Sequence, residues 1–186
     1  MMRKDDPDDL IIVRQVVSGE TELFRALVRR HERAVYGMGL SFFKNKEDAS
    51  DFAQDVFLKV YRNLSQFQGN ARFSTWLYRI AYNTALNGIS RRKEYLSLVE
   101  DESLPDNNSP ERGALRSAAK TAVRKALKEL PERYRICVDL YFFYDQSYQE
   151  IEVITGYPVN TVKSHVFRAK KILREKLKDI AEGELI

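Results

Sequence analysis

Hydrophobic residues recur at intervals of three and four along most of the chain, the spacing of one face of an α-helix. The first stripe follows Asp9 and ends before Gly19, and it consists of Leu10, Val13, Val16 and Val17. Two longer stripes run over residues 24–42 and residues 49–64, the second preceded by acidic residues that favour a helix start. The pattern predicts an all-α protein.

The second half continues this pattern. An Ala-, Lys- and Arg-rich helix is predicted from Ala114 to Leu130 and ends at Pro131, because proline cannot continue a helix. The next helix begins at that proline, and its predicted buried residues are Ile136, Leu140 and Phe143.

A helix-turn-helix is predicted over residues 147–178. Ser147 and Glu150 are spaced as a capping box, in which each side chain bonds the other residue's amide at a helix start. Gly156 stands where a left-handed residue ends the short helix, and a longer amphipathic helix starts at Val159. Such an order of elements is typical of DNA-binding proteins.

The outward side of that longer helix is strongly basic. Residues 159–178 contain seven Lys and Arg residues and one acid. Four positions share an exposed face and offer cations, a hydroxyl and an apolar contact, which suits the major groove: Lys163, Ser164, Phe167 and Arg168. A solvated lysine-rich helix has the same charge run, but the capping box and the glycine turn favour DNA binding.

A second polar stripe lies on the helix predicted to start at Ser74 or Thr75. The stripe consists of Arg79, Asn83, Asn87 and Arg91, which recur every four residues. Two more cations, Arg92 and Lys93, follow it. Asparagine is unfavourable inside helices but can donate to and accept from base edges. Five aromatic residues cluster nearby: Phe67, Phe73, Trp76, Tyr78 and Tyr82. We expect most of them, Trp76 above all, to lie in the core, and one or two to contact nucleic acid.

The third predicted helix carries a polar face opposite its apolar stripe. This face consists of Asp48, Asp51, Gln54, Asp55, Lys59 and Arg62. It is either a solvated side of a helical bundle or a docking surface for a protein, and the helix alone does not decide between them.

Residues 96–112 change the composition abruptly. They are rich in Asp, Glu, Pro, Asn and Ser, which predicts a flexible acidic linker between two helical domains, residues 9–95 and residues 113–180. The net charge is +4 for residues 1–96, −4 for residues 97–112 and +4 for the remainder. Such a tether either folds back on the basic domains or lies across a basic channel of a partner.

Composition excludes several classes of protein. The chain has 186 residues, a net charge of +4 and one cysteine, Cys137, which we expect to be buried, inert and in a reducing compartment. No signal peptide or membrane-spanning stretch is predicted, so we expect a cytoplasmic protein without membrane insertion. His31 and His165 are too far apart in sequence to suggest a metal site. We find no catalytic, metal-ligating or cofactor-binding motif, and expect no enzyme and no cofactor.

Four segments in this order resemble the extracytoplasmic-function sigma factors of bacterial RNA polymerase. The segments are EDASDFAQDVFLKVYRNLSQFQG, ARFSTWLYRIAYNTALN, LPERYR and SYQEI…GYPVNTVKSHVFRAKKILRE. The likeness extends from Asp9 to Lys178. It implies a first domain that binds core polymerase and opens the minus-ten region, and a second that binds the minus-thirty-five element. It also implies a linker through the polymerase channel and an anti-sigma factor as partner.

The resemblance assigns three surfaces. The clamp face would meet the coiled coil of the polymerase clamp, and its members are Asp48, Asp51, Gln54, Asp55, Lys59 and Arg62. The minus-ten surface would hold a flipped base in the loop of residues 69–75 and on the following helix, and it comprises Asn70, Arg72, Phe73, Arg79, Asn83, Asn87 and Arg91. The upstream face would read the minus-thirty-five element with Asn160, Thr161, Lys163, Ser164, Phe167, Arg168 and Lys171.

Four residues depart from the family's usual pattern. Gln146, Glu152 and Thr155 stand where the family usually has small or apolar residues, and His165 where it often has arginine. They make the first helix of the helix-turn-helix unusually polar, so the preferred upstream sequence does not follow from the resemblance.

Two other functions use the same features. A stand-alone helix-turn-helix regulator needs a sensor or dimerisation domain, whereas the first half here carries a second predicted nucleic-acid surface. A helical adaptor that binds only proteins is disfavoured by the basic face of residues 163–178.

Overall fold

The computed structural model describes residues 7–98 and residues 122–183, with two 3₁₀ turns at Thr21–Leu23 and Leu64–Gln66. Every regular element in these two ranges is helical, which confirms the predicted all-α class. The α-helices in chain order are α1 (Pro7–Val17), α2 (Phe24–Phe43), α3 (Lys46–Asn63), α4 (Phe73–Leu98), α5 (122–128), α6 (Glu132–Phe142), α7 (Tyr148–Thr155) and α8 (Val159–Gly183).

The chain divides into two compact units, residues 1–105 and residues 106–186, as the two-domain layout requires. The predicted domain boundaries stay predictions. Helix α4 continues to Leu98, three residues into the predicted linker, and residues 99–112 lie outside the described residues.

In the first unit, α2 packs closely on α3 because Gly39 has no side chain. A Cβ at Gly39 would lie 2.8 Å from Phe52 Cδ1 and 3.0 Å from Ala49 Cα, so only glycine allows this approach. Helices α1 and α4 complete the core. Its most deeply buried side chains are Leu27, Val35, Ala49, Val56, Val60, Leu77, Ala81 and Ala85.

In the second unit, α6 and α8 form a small core with the end of α5. Leu130, Tyr134, Val138 and Ala169 are buried together, and Leu127, Ile172 and Leu173 cover them. Helix α7 packs on this core through Ile151 and Ile154. These contacts leave the opposite side of α8 exposed.

A 3₁₀ turn begins at Thr21, and α2 starts after it at Phe24 without a side-chain cap. Two expectations of burial near helix ends are wrong. Val17 is 52% exposed because it lies in the last turn of α1, and Phe143 is 63% exposed because it follows the last residue of α6. Both stripes end before these positions.

Across the two described ranges, no helix is both long and apolar enough to cross a membrane.

Candidate nucleic-acid interface

The capping box at the start of α7 is formed as predicted. Ser147 Oγ accepts from the Glu150 amide at 3.3 Å, and Glu150 Oε2 accepts from the Ser147 amide at 2.7 Å. Gly156 ends α7 in the left-handed conformation with φ of 76°, also as predicted. The turn of the helix-turn-helix therefore follows from local residues.

The three unusual polar residues of this motif each make a hydrogen bond. Gln146 is almost fully buried and donates from Nε2 to the Tyr144 carbonyl at 2.7 Å. Thr155 donates from Oγ1 to the Ile151 carbonyl at 2.7 Å, closing the last turn of α7. Glu152 accepts from the Val159 amide at 3.1 Å and so caps α8. The extra polarity stabilises the turn.

The upstream face lies on the exposed side of α8. Asn160, Lys163, Ser164, Phe167, Arg168 and Lys171 are exposed, and Thr161 is half-buried. Val162, Val166 and Ala169 are buried on the opposite side. Phe167 is 70% exposed, which leaves its ring available to a ligand such as a thymine methyl.

Tyr134 of α6 supports this face from below. Arg168 Nη1 donates to the Tyr134 hydroxyl at 3.3 Å, and the Arg133 guanidinium lies 5.3 Å from the centre of the Tyr134 ring. Neither Tyr134 nor Arg133 is among the predicted residues of the upstream face, although both belong to the LPERYR segment. Their positions add a cation beside the upstream face and orient Arg168.

His165 is buried behind the upstream face. Its Nδ1 lies 3.7 Å from Cys137 Sγ, and its ring packs on Tyr134 and Tyr157. Burial and the charges of Arg133 and Arg168 lower the pKa of His165. Cys137 is buried as expected, and burial raises the pKa of its thiol to about 12, so the thiol stays protonated at neutral pH.

Most of the minus-ten surface is exposed around the start of α4. Asn70, Arg79, Asn83 and Asn87 are exposed, and Arg72 is half-buried. Asn70 Nδ2 donates to Gln68 Oε1 at 3.0 Å within the loop. The Arg91 side chain lies outside the described residues. Asn83 and Asn87 share one face of α4 with Arg79, as predicted.

Phe73 is the exception, because it is only 4% exposed. Its ring lies 5.7 Å from that of Phe67 and 5.9 Å from that of Trp76, centre to centre. In this conformation Phe73 supports the loop from inside, and the expectation that it faces a ligand is not met.

The expected ranking of the aromatic residues was also wrong. Trp76 is only half-buried, whereas Tyr78 and Tyr82 are buried more deeply. Phe67 and Trp76 are the two aromatics that reach the surface near the loop, with ring centres 5.3 Å apart. They are positioned to stack on bases.

The clamp face on α3 is mostly exposed. Asp51, Gln54, Asp55 and Arg62 are exposed. Lys59 Nζ donates to Asp55 Oδ2 at 2.7 Å and to Thr84 Oγ1 of α4 at 3.2 Å. Asp48 is engaged by Asn45, which donates to Asp48 Oδ2 at 2.6 Å and caps the helix. Leu58, which is not one of the predicted clamp-face residues, is 55% exposed on the same helix and adds an apolar side chain to its surface.

Two family profiles match the chain. Sigma-70 region 2 matches residues 27–95, and Sigma-70, region 4 matches residues 120–173. The chain is 34% identical over 183 residues to the RNA polymerase sigma-H factor of Pseudomonas aeruginosa, covering 92% of this chain and 95% of that protein. It is 33% identical over 183 residues to the ECF RNA polymerase sigma-E factor of Escherichia coli K12, with coverage of 92% and 95%.

A solved structure has a similar fold. It is the sigma factor RpoE in complex with the anti-sigma factor NepR from Bartonella quintana. The TM-score is 0.68 at 25% sequence identity, and the match covers 83% of this chain and 96% of that chain.

Proposed function

This chain belongs to the extracytoplasmic-function sigma factors, and from that membership we propose which of its surfaces perform each step of initiation. As a sigma factor, it binds core RNA polymerase and directs promoter-specific transcription initiation. The observation that carries the proposal is the exposure of a polar surface with Arg79, Asn83 and Asn87 within the region 2 match, together with the exposed basic face of α8 within the region 4 match.

The upstream face reads the minus-thirty-five element as duplex DNA. Lys163 and Arg168 supply long cationic donors to guanine edges or phosphates, and Phe167 supplies an apolar contact to a thymine methyl. Asn160, Thr161, Ser164 and Lys171 flank them and position the helix on the backbone. Because phosphate contacts release counterions, binding through this face weakens steeply as salt rises.

The minus-ten surface holds a base flipped out of the duplex. Extruding one base costs a few kcal/mol, so a protein surface that binds the extruded base favours the open state without chemistry. Asn83 and Asn87 offer donors and acceptors for a base edge, while Arg72 and Arg79 offer cations for phosphates. Phe67 and Trp76 offer stacking.

The clamp face binds core polymerase. Its acidic and amide side chains suit a basic partner surface, and Leu58 lies among them as an apolar anchor. The acidic segment of residues 96–112 follows the polymerase channel between the two DNA elements. The chain contributes no catalytic group and needs no cofactor, because melting depends on binding energy alone.

An anti-sigma factor restrains this protein in the cytoplasm. The proposal is supported by the similar fold of a sigma factor solved with its anti-sigma factor. The inhibitor competes with polymerase and leaves when a stress or envelope signal arrives.

The test is co-elution of the purified chain with core RNA polymerase, with and without excess primary sigma factor. Competitive co-elution, followed by transcription from a promoter selected with the reconstituted enzyme, supports the proposal. DNA binding without polymerase binding would favour the stand-alone regulator.

A further inference from the structure

Asp9 is a carboxylate buried in the first unit, with only 6% of its surface exposed. It lies on α1, and both of its oxygens bond to α2. Arg30 Nη1 donates to Oδ1 at 2.7 Å, and His31 Nε2 lies 2.8 Å from Oδ2. Burying a charge is costly unless it is paired, so these two contacts hold α1 in one position on α2.

Burial by itself would raise the pKa of Asp9. The hydrogen bonds and charges of His31 and Arg30 outweigh it, and the pKa of Asp9 is lowered. Asp9 therefore remains ionised at neutral pH.

His31 connects this ion pair to the minus-ten loop. The His31 ring packs on Phe73 with centres 5.4 Å apart. Phe73 in turn contacts Phe67 and Trp76, which flank the loop of residues 69–75. A continuous set of packed rings thus runs from the buried carboxylate to the surface where bases are proposed to stack.

Helix α1 also touches the loop directly. Leu10 Cδ1 lies 3.4 Å from the position that a Cβ would occupy on Gly69. Gly69 has φ of 73°, a left-handed conformation that allows the chain to turn beside Leu10. The residue next to Asp9 therefore packs under the loop's turn.

We propose that Asp9 and Leu10 are positioning residues for promoter opening: the Asp9–His31 pair and the Leu10–Gly69 contact together hold the minus-ten loop in the shape that captures a flipped base. This inference rests on the proposed function of the minus-ten surface. The residues act through the loop, since Asp9 is buried and Leu10 packs against Gly69.

The test uses the holoenzyme of core polymerase and the full-length chain. The variants are Asp9→Asn, which keeps the shape and removes the charge, and Leu10→Ala, which trims a half-buried contact. Glu22→Gln is the control, because it weakens an exposed ion pair with Arg25 elsewhere in the same unit. The probe is the single-stranded non-template minus-ten segment of a promoter that the wild-type holoenzyme opens.

We expect both variants to bind this probe roughly tenfold more weakly, as for residues that couple to a site through packed neighbours. Core polymerase affinity and binding to duplex upstream DNA should equal those of the wild type and of Glu22→Gln. A second readout uses the full-length chain without polymerase: its one tryptophan is Trp76, so the fluorescence reports on the loop. Acrylamide should quench this fluorescence more readily in both variants than in the control.

Asn83→Ala distinguishes failure of this inference from failure of the proposed function. If Asn83→Ala weakens probe binding while Asp9→Asn and Leu10→Ala bind normally, the inference is overturned and the minus-ten surface stands. If Asn83→Ala also binds the probe normally, both the inference and the proposed function of the minus-ten surface are overturned. If Asp9→Asn unfolds or loses polymerase, Leu10→Ala decides: weaker probe binding supports the inference and normal binding overturns it.

Discussion

Glu152 Oε1 accepts a hydrogen bond from the Val159 amide at 3.1 Å. Glu152 lies on α7 and Val159 is the first residue of α8, so one helix of the helix-turn-helix caps the other. The residue before Val159 is Pro158, which has no side-chain oxygen that could cap α8. The contact therefore ties the start of the DNA-reading helix to the helix that precedes it.

Replacing Glu152 with alanine should destabilise the second unit. The change removes a cap and a negative charge from a helix N-terminus, which costs about 1 kcal/mol in free energy of unfolding. Glu152→Gln keeps an acceptor oxygen but loses the charge, so its free energy of unfolding should lie between those of the wild type and Glu152→Ala. Denaturant unfolding followed by circular dichroism measures this, with Gln149→Ala, an exposed position on the same helix, as the control. Equal stability of Glu152→Ala and the control would contradict the capping role.

Replacing Lys163 and Arg168 together with alanine should abolish transcription from promoters that need the upstream element. Each direct contact to a base or phosphate is worth about 1–3 kcal/mol, so the double change removes most of the specific affinity. Polymerase binding should be unchanged. Run-off transcription and co-elution test both statements, and Arg124→Ala with Lys125→Ala is a charge-matched control on α5. Loss of polymerase binding would contradict the assignment.

Replacing Asn83 with alanine should leave upstream binding intact and impair strand opening. The alanine lacks the amide that we propose bonds to an extruded base. Permanganate reactivity of unpaired thymines measures opening, and it should fall well below that of Gln66→Ala, an amide lost just before the loop. Wild-type reactivity in Asn83→Ala would remove this residue from the site.

The second unit should lose stability as the pH falls below 6.5. The pKa of His165 is lowered in the folded protein from its ordinary value of 6.5 by burial and by Arg133 and Arg168. The unfolded chain therefore takes up a proton first as pH falls, and this favours unfolding until the pH reaches the folded pKa. Between pH 7.5 and pH 5.5, the melting temperature should fall further for the wild type than for His165→Gln. The same decrease in both would rule out this linkage.

Replacing Gly39 with alanine should destabilise the first unit. The new Cβ meets Phe52 Cδ1 at 2.8 Å and the Ala49 backbone at 3.0 Å. Overpacking costs about 1–3 kcal/mol and alanine returns up to about 1 kcal/mol of helix propensity, so we expect a net loss of about 1 kcal/mol. Gly88→Ala is the matched control, because its Cβ meets only the tip of the Phe43 ring, at 3.2 Å. Denaturant unfolding of the two variants gives the comparison.

The helix-turn-helix shows which features short-range chemistry determines. Ser147 and Glu150 cap α7, Gly156 ends it, and Lys163 and Phe167 are exposed on α8, all as predicted. These outcomes depend on residues within one or two helical turns of each other. Periodicity and capping rules therefore suffice for them.

Contacts between helices do not follow from local patterns. Asp9 is spaced from Val13 and Val16 as on one helix face, which indicates that it is buried. Its partners Arg30 and His31 lie on another helix, so the pairing could not be predicted. Phe73 was expected to face DNA and Trp76 to be core, and the packing of His31 and Phe67 makes Phe73 the more buried.

Local sequence was thus enough to establish the all-α class, the cap and the end of α7, the basic face of α8 and, through the order of four motifs, the family. Tertiary structure alone decided that Glu152 caps α8, that Lys59 reaches Thr84, and that Asp9 pairs with Arg30 and His31 of α2. The physical reason is that these contacts join residues distant in sequence or on different helices, and their existence depends on how the helices pack.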